Sequence, residues 1–231
     1  MWSGPRNLST AMMYAFAARG DCTVVDEPFY AAYLAETGLD HPMREEILAC
    51  QPADPATVIT GLLAPVETPI HYAKLMTHHM LEDFPLDWLG SVTNVFLIRH
   101  PARVIASYAR KRERPTLADI GFAEQARLFD TLADRTGQAP TVIDSTAIRA
   151  DPAASLSRLC RNAGIPTSDS MLRWPAGPKP YDGIWASHWY GAVHRSSRFE
   201  AAEGPLPELT GEYARLCARA LPYYERLARY R

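Results

Sequence analysis

Cysteine is scarce in this chain: Cys22, Cys50, Cys160 and Cys217 are the only four in 231 residues, far apart and without a CxxC pair. With no histidine cluster at zinc-ligand spacing either, this excludes a disulfide framework and a structural zinc site, and it predicts reduced thiols, no metal and a cytoplasmic protein. An excess of positive charge is also missing. The 24 Lys and Arg against 26 Asp and Glu give a formal net charge of −2, which excludes the general basic surface of a nucleic-acid-binding domain. Any anion site must therefore be local. No apolar run is long enough to span a bilayer, and the N-terminus lacks the basic-then-apolar order of a signal peptide, so no membrane partner is expected. Internal repeats and low-complexity linkers are absent, and the 19 prolines are spread between segments. The expectation is one domain over residues 1–231, long enough to bury roughly 70% of its unfolded surface.

What is present is alternation. "CTVVDEP" (22–28), "IHYAKL" (70–75), "NVFLIRHP" (94–101) and "PTVIDS" (140–145) are short apolar runs rich in β-branched residues, each followed by a helical pattern. This predicts an α/β fold: a central parallel sheet covered by helices on both faces, in three α/β/α layers. With Asn7 as N-cap, Leu8, Ala11, Met12, Ala15 and Phe16 form one apolar helix face. Pro101 suits the first turn of another helix, and residues 153–163 and 207–229 complete the helical set.

The stretch "SGPRNLSTAM" (3–12) sits where a phosphate-cradling loop meets a helix. The ATP-binding form, GxxxxGK[ST], carries a lysine for the β- and γ-phosphates, but counting from Gly4 places Ser9 and Thr10 at the Gly-Lys positions. Such a loop is poorly equipped for a triphosphate. It still offers helix N-terminal N–H groups, two hydroxyls and the Arg6 guanidinium, which suit one phosphate or sulfonate; the plain alternative is a capped helix start with an exposed arginine. A loop of this kind normally follows a buried strand, yet only Met1 and Trp2 precede Ser3. The expectation is that most of the first strand lies upstream of Met1, outside this sequence, the alternative being a sheet without its central strand.

A second basic stretch, "FLIRHPARVIASYARKR" (96–112), places Arg99 at the end of a strand and Ser107 in the following helix, with Arg103, Arg110, Lys111, Arg112 and Arg114 nearby. Arg99 directly follows "VFLI", so it belongs to the carboxyl edge of the sheet, where ligands of open α/β folds bind. For residues 110–114 a solvated helix face is the ordinary alternative.

Taken together, these stretches resemble the sulfotransferase family, which uses 3'-phosphoadenosine 5'-phosphosulfate. Arg6-Asn7-Leu8-Ser9-Thr10 is similar to that family's [KR]-S-G-T-T loop for the 5'-phosphosulfate, with Asn7-Leu8 in place of Ser-Gly. Arg99 and Ser107 resemble its 3'-phosphate pair, and "VIDSTAIRADPAASLSRLCRNAGI" resembles its Asp-Pro region, so the likeness covers roughly residues 1–166. It implies a P-loop nucleotide-hydrolase-like fold and sulfuryl transfer, without a metal, to a hydroxyl or amine of a small-molecule or glycan acceptor.

The resemblance also implies roles. Arg6 and Lys74, which ends "IHYAK", would stabilise charge on the leaving phosphate. Glu27 stands where bacterial and glycan-modifying members place a glutamate base, and helix dipoles with Arg6 would keep it ionised. His78 and His79 follow Lys74 as a catalytic histidine does in the cytosolic small-molecule branch. On a helix only one of them, more plausibly His78, would face the site. The choice of base stays open among Glu27, His78 and His79, and Asp26 is a candidate to orient the loop. In "GPKPYDGIWASHWYGAVHRSSRF" (177–199), Tyr181, Trp185, Trp189 and Tyr190 are candidates for a lid, with Arg195 and Arg198 near phosphate. The rival functions are a P-loop kinase-like phosphotransferase and a non-catalytic nucleotide-binding protein of the same fold.

Overall fold

The alternation of β-branched runs and helices produces five parallel strands in the order β2-β3-β1-β4-β5. These are β1 (Trp2–Ser3), β2 (Cys22–Asp26), β3 (Ile70–Met76), β4 (Val95–Ile98) and β5 (Thr141–Asp144). The computed structural model describes residues 1–110 and 114–231. Lys111 and Arg112, two of the basic residues noted above, lie outside the described residues. Short as it is, β1 takes the central place: Trp2 pairs with both Leu75 and Phe96, and Ser3 with both Met76 and Leu97. The sheet therefore keeps its central strand, and the strand-to-loop order of a phosphate site is present at residues 2–9.

Successive strand residues point to opposite faces, and the sequence uses both. Tyr72, Val95, Leu97 and Ile143 pack on one side with α1 (Ser9–Ala17), joined by Leu156 and Leu159, whose helix is given below. Leu75, Phe96, Ile98 and Val142 pack on the other side, under Val58, Phe129 and Leu227. Helices α2 (Tyr30–Thr37), α3 (Arg44–Cys50) and α4 (Pro55–Leu63) lie between β2 and β3. Helices α5 (Pro101–Tyr108), α6 (Leu117–Ile120) and α7 (Phe122–Thr136) lie between β4 and β5. After β5 come α8 (Ser145–Ala150), α9 (Pro152–Asn162), the short α10 (Ala186–Trp189) and α11 (Gly191–His194), and α12 (Gly211–Ala228). The expected three layers are there, and the helices expected at 153–163 and 207–229 are α9 and α12. No helix among the described residues is long and apolar enough to cross a membrane.

Two local expectations need correction. Asn7 is not the cap of α1; Leu8 holds that position at φ 77° with no side-chain cap bond. The reason is packing: Asn7 is 1% exposed and its Nδ2 donates to the Leu97 carbonyl of β4 at 3.2 Å, so it pins the loop to the sheet. His78 and His79 stand on a single 3-10 turn, Thr77–His79, not on an α-helix.

Phe96 is fully buried in the central layer. Phe96→Ala is expected to lower unfolding free energy by about 3–5 kcal/mol, whereas Leu206→Ala at an exposed site should stay within about 0.5 kcal/mol. Urea titration of both variants against the parent checks this; equal losses would contradict the assigned core.

Candidate active site

The loop after β1 is built by unusual backbone. Arg6 and Leu8 have φ of 62° and 77°, and Glu27, just after β2, has 42°; these are three of the four non-glycine residues in the left-handed region among the described residues. Such conformations cost free energy and gather where a chain must present groups to a ligand. Gly4 meets a separate demand: a Cβ there would stand 2.7 Å from the Ile120 carbonyl, so no larger residue fits. The turn thus aims the start of α1, with the Ser9 and Thr10 side chains, into a cleft of about 570 Å³ at the carboxyl edge of the sheet. Arg6 lines the same cleft, and its Nε donates to Ser107 Oγ of α5 at 3.1 Å. Burial, then the Arg99 and Arg110 charges, lowers the proton affinity of Arg6. A guanidinium so crowded by like charge marks a place where an anion is welcome.

Arg99, at the end of β4, donates from Nη1 to the Arg6 carbonyl at 2.7 Å and from Nη2 to Glu203. Glu203 also meets Arg103 Nε at 3.2 Å and Arg149 Nη1 at 3.2 Å. Burial raises the Glu203 carboxyl, but the three arginines outweigh it and hold it below the usual carboxylate range. The arginine end of the cleft therefore already contains one carboxylate.

At the other end lies a buried ionic cluster. Lys74 on β3 is 1% exposed, and its Nζ donates to Asp26 Oδ1 at 2.8 Å, to Glu27 Oε1 at 2.6 Å and to the Tyr190 hydroxyl. All three ammonium protons are thus engaged. Asp26 Oδ2 in turn accepts from the Gly183 N–H at 3.0 Å, which ties β2 to the segment carrying Tyr190. Burial opposes the Lys74 charge, yet Asp26 and Glu27 more than offset it and raise its pKa. Burial pushes the Glu27 carboxyl up against the pull of Lys74, with Asp26 adding to the rise. This corrects the expectation that Arg6 and helix dipoles govern Glu27, because desolvation dominates. Gln51 fixes the turn, donating from Nε2 to the Glu27 carbonyl at 3.3 Å.

Between the two ends the wall is aromatic. Tyr30, His41, His78, His79 and Trp189 line it. His79 stacks on Tyr30 and Tyr33 with ring centroids 4.5 and 4.8 Å apart. Both His78 and His79 face the cleft, so the expectation that only one does is not met; the tight 3-10 turn presents both rings, 4.4 Å apart. Burial, more than any cation, pushes His78 down to about 3 and His79 well below the ordinary imidazole value.

Of the residues singled out in the sequence, the cleft brings together the loop residues Arg6, Leu8, Ser9 and Thr10, then Glu27, Lys74, His78 and His79, the basic-stretch residues Arg99, Arg103, Ser107 and Arg110, and Trp189, Tyr190 and Arg198. It does not include Asn7, which sits behind the loop, nor Arg195. Trp185 is 1% exposed, and its indole N–H donates to the Tyr190 hydroxyl at 3.1 Å, so these two anchor the cluster from within and are not an outer lid. Tyr181 packs on Tyr14, away from the cleft. Sequence reasoning missed Glu203, Arg149, Tyr30 and Gln51; the only signal for Glu203 was its place just beyond the arginine-bearing segment 195–198.

A family described as "Sulfotransferase domain" matches residues 1–230. Branched-chain-amino-acid aminotransferase-like proteins 1 and 2 of Arabidopsis thaliana are 35% and 34% identical over 224 residues, 96% of this chain. The chain spans only 40% of the length of those relatives. Among solved structures, the sulfotransferase domain of the Synechococcus PCC 7002 olefin synthase is similar in fold, with a TM-score of 0.54 and 17% identity over 94% of this chain and 92% of that one. The sulfotransferase domain from the curacin biosynthetic pathway gives a TM-score of 0.47 at 15% identity, covering 94% and 95% of the two chains.

Buried neutral histidines make stability depend on acid. Because folding lowers the His79 pKa, its contribution is complete above about pH 6.5 and is lost as pH falls below that value, by up to roughly 1.4 kcal/mol per pH unit. His79→Phe keeps a flat ring between Tyr30 and Tyr33 and should flatten the acid limb of a stability profile between pH 6.5 and 5. An unchanged slope in the variant would contradict the buried neutral imidazole.

Proposed function

The chain belongs to the sulfotransferase domain family, and we propose that it moves a sulfuryl group from 3'-phosphoadenosine 5'-phosphosulfate to a hydroxyl or amine of a small-molecule or glycan acceptor. The observation that carries this reading is the Arg6 guanidinium, turned by a left-handed residue to the start of α1 and crowded by Arg99 and Arg110, in a loop with hydroxyls where an ATP site has its lysine. Such a site suits a sulfonated phosphate without a chelated metal ion. Four unpaired cysteines support a cytoplasmic location.

When bound, the donor supplies a sulfuryl group on a good leaving phosphate. In the transfer its bridging S–O bond breaks, a bond from sulfur to the acceptor oxygen or nitrogen forms, the phosphate keeps the electron pair, and the acceptor proton goes to a base. The N–H groups at the start of α1, with Ser9 and Thr10, hold the 5' end, and Arg6 offsets charge that grows on the phosphate oxygen. Arg99, Ser107 and Arg198 are assigned to the 3'-phosphate. Glu27 is the base we favour: it lines the cleft, both of its side-chain bonds end on Oε1, and burial raises its proton affinity toward the range in which general bases work. Lys74, with its donors engaged, orients Glu27 and does not reach for the leaving group. His78, neutral and in the wall, positions the acceptor.

Glu27→Gln keeps size and removes the charge. Incubation with ³⁵S-labelled donor and a small-molecule extract, followed by mass spectrometry, should give labelled product with the parent and about 10²-fold less or lower with the variant. Adenosine 3',5'-bisphosphate at 100 times its dissociation constant should still stabilise the variant by about 2.7 kcal/mol. Full turnover in Glu27→Gln together with loss in His78→Ala would move the base to the histidine.

A further inference from the structure

We propose that Glu203 is a tethered occupant of the 3'-phosphate subsite, so that only a ligand carrying a phosphate dianion at that point displaces the strap of residues 200–204. The proposal rests on the reading of the cleft as a site for a nucleoside bisphosphate and adds how that ligand is selected.

The Glu203 side chain is 5% exposed, deep for a carboxylate on a segment with no helix or strand. It is held by Arg99, Arg103 and Arg149 and, at 3.4 Å, by the Thr146 hydroxyl. The same arginines grip the rest of the strap. Arg149 Nε donates to the Ala201 carbonyl at 2.9 Å, its Nη2 meets Glu200 Oε2 at 2.9 Å, and Arg103 Nη2 donates to the Gly204 carbonyl at 2.5 Å. Ala201, Ala202, Gly204 and Pro205 are exposed, and Phe199, before the strap, is the buried apolar anchor. The strap is therefore held by polar contacts to three guanidinium groups, and its release uncovers little apolar surface.

Charge and geometry both leave the cluster short of negative charge. Three arginines face one buried carboxylate and the more exposed Glu200. Arg99 Nε and Arg103 Nε are buried with no hydrogen-bond partner among the described residues, and the 3.2 Å approach of Arg103 Nε to Glu203 lacks hydrogen-bond alignment. The two oxygens of Glu203 leave both of these nitrogens unserved. A phosphate monoester brings three oxygens and nearly twice the charge, in the geometry that guanidinium forks match. Arg99 also holds the Arg6 carbonyl, so whatever occupies this subsite bears on the loop that grips the 5' end. Glu203, Arg149 and the loop residues line one continuous cleft. A tethered competitor lowers apparent affinity by the fraction of time it holds the subsite. It tolls every ligand that reaches the subsite, and only one that uses the arginines recovers the loss.

The test compares adenosine 3',5'-bisphosphate with adenosine 5'-monophosphate by calorimetry, on the parent and on Glu203→Gln. The variant is expected to bind the bisphosphate about tenfold more tightly and the monophosphate unchanged. Equal bisphosphate affinity in the two proteins overturns the proposal, as does an equal gain for both nucleotides, which would be a general charge effect. Binding of the bisphosphate by neither protein would overturn the donor reading itself, a distinct outcome. A second measurement needs no variant: a glutamate-specific protease should cut the parent at Glu203 faster when the bisphosphate is present, and protection of that site would contradict strap release.

Discussion

One buried ammonium holds together the end of the cleft that carries the proposed base. Lys74 comes from β3, Asp26 and Glu27 end β2, and Tyr190 arrives from a segment 116 residues away; their polar atoms meet around a single nitrogen that is shut off from water. A charge in that position is tolerable only because every donor is matched, and the match in turn fixes each partner. Glu27 sits at φ 42°, a conformation an unrestrained chain would abandon, and the ion pair to Lys74 with the Gln51 bond to its carbonyl keeps it there. The orientation of the proposed base follows from strand pairing and charge matching, not from a flexible loop.

The opposite end works by a mismatch. Arg6, Arg99, Arg103 and Arg149 are brought to the edge of a sheet in a protein whose overall charge is slightly negative. Their mutual repulsion is relieved within the fold by Glu203 alone among buried carboxylates of the described residues. Between a satisfied cluster and an unsatisfied one lies a wall of tyrosine and histidine rings, where burial disfavours charge on His78 and His79. A donor with two anionic ends and an acceptor without strong charge fit this distribution along one cleft.

The sequence made part of this legible for a physical reason. Arg6, Ser9, Thr10 and Arg99 lie directly after strands of a parallel sheet, and such a sheet delivers the residues following its strands to one edge. Lys74 and Glu27 were found by the same logic, although the pattern did not reveal that they bind each other. What escaped came from segments without periodicity. Glu203 lies on a strap with no regular structure, and its meaning exists only through arginines just after β4 and on α5 and α8. Asn7 was misplaced because capping preference is a local rule, and here a tertiary bond to Leu97 overrides it. Tyr190 and Trp185 read as lid candidates in the sequence, whereas the fold draws them around Lys74.

The most direct measurement is calorimetric titration of adenosine 3',5'-bisphosphate into the parent protein and into Arg6→Ala, with no divalent cation in the buffer. Binding by the parent and its loss by roughly tenfold or more in the variant is the result that an anion site centred on the Arg6 turn predicts. No binding by the parent, or preferential binding of magnesium-ATP in its place, would contradict it.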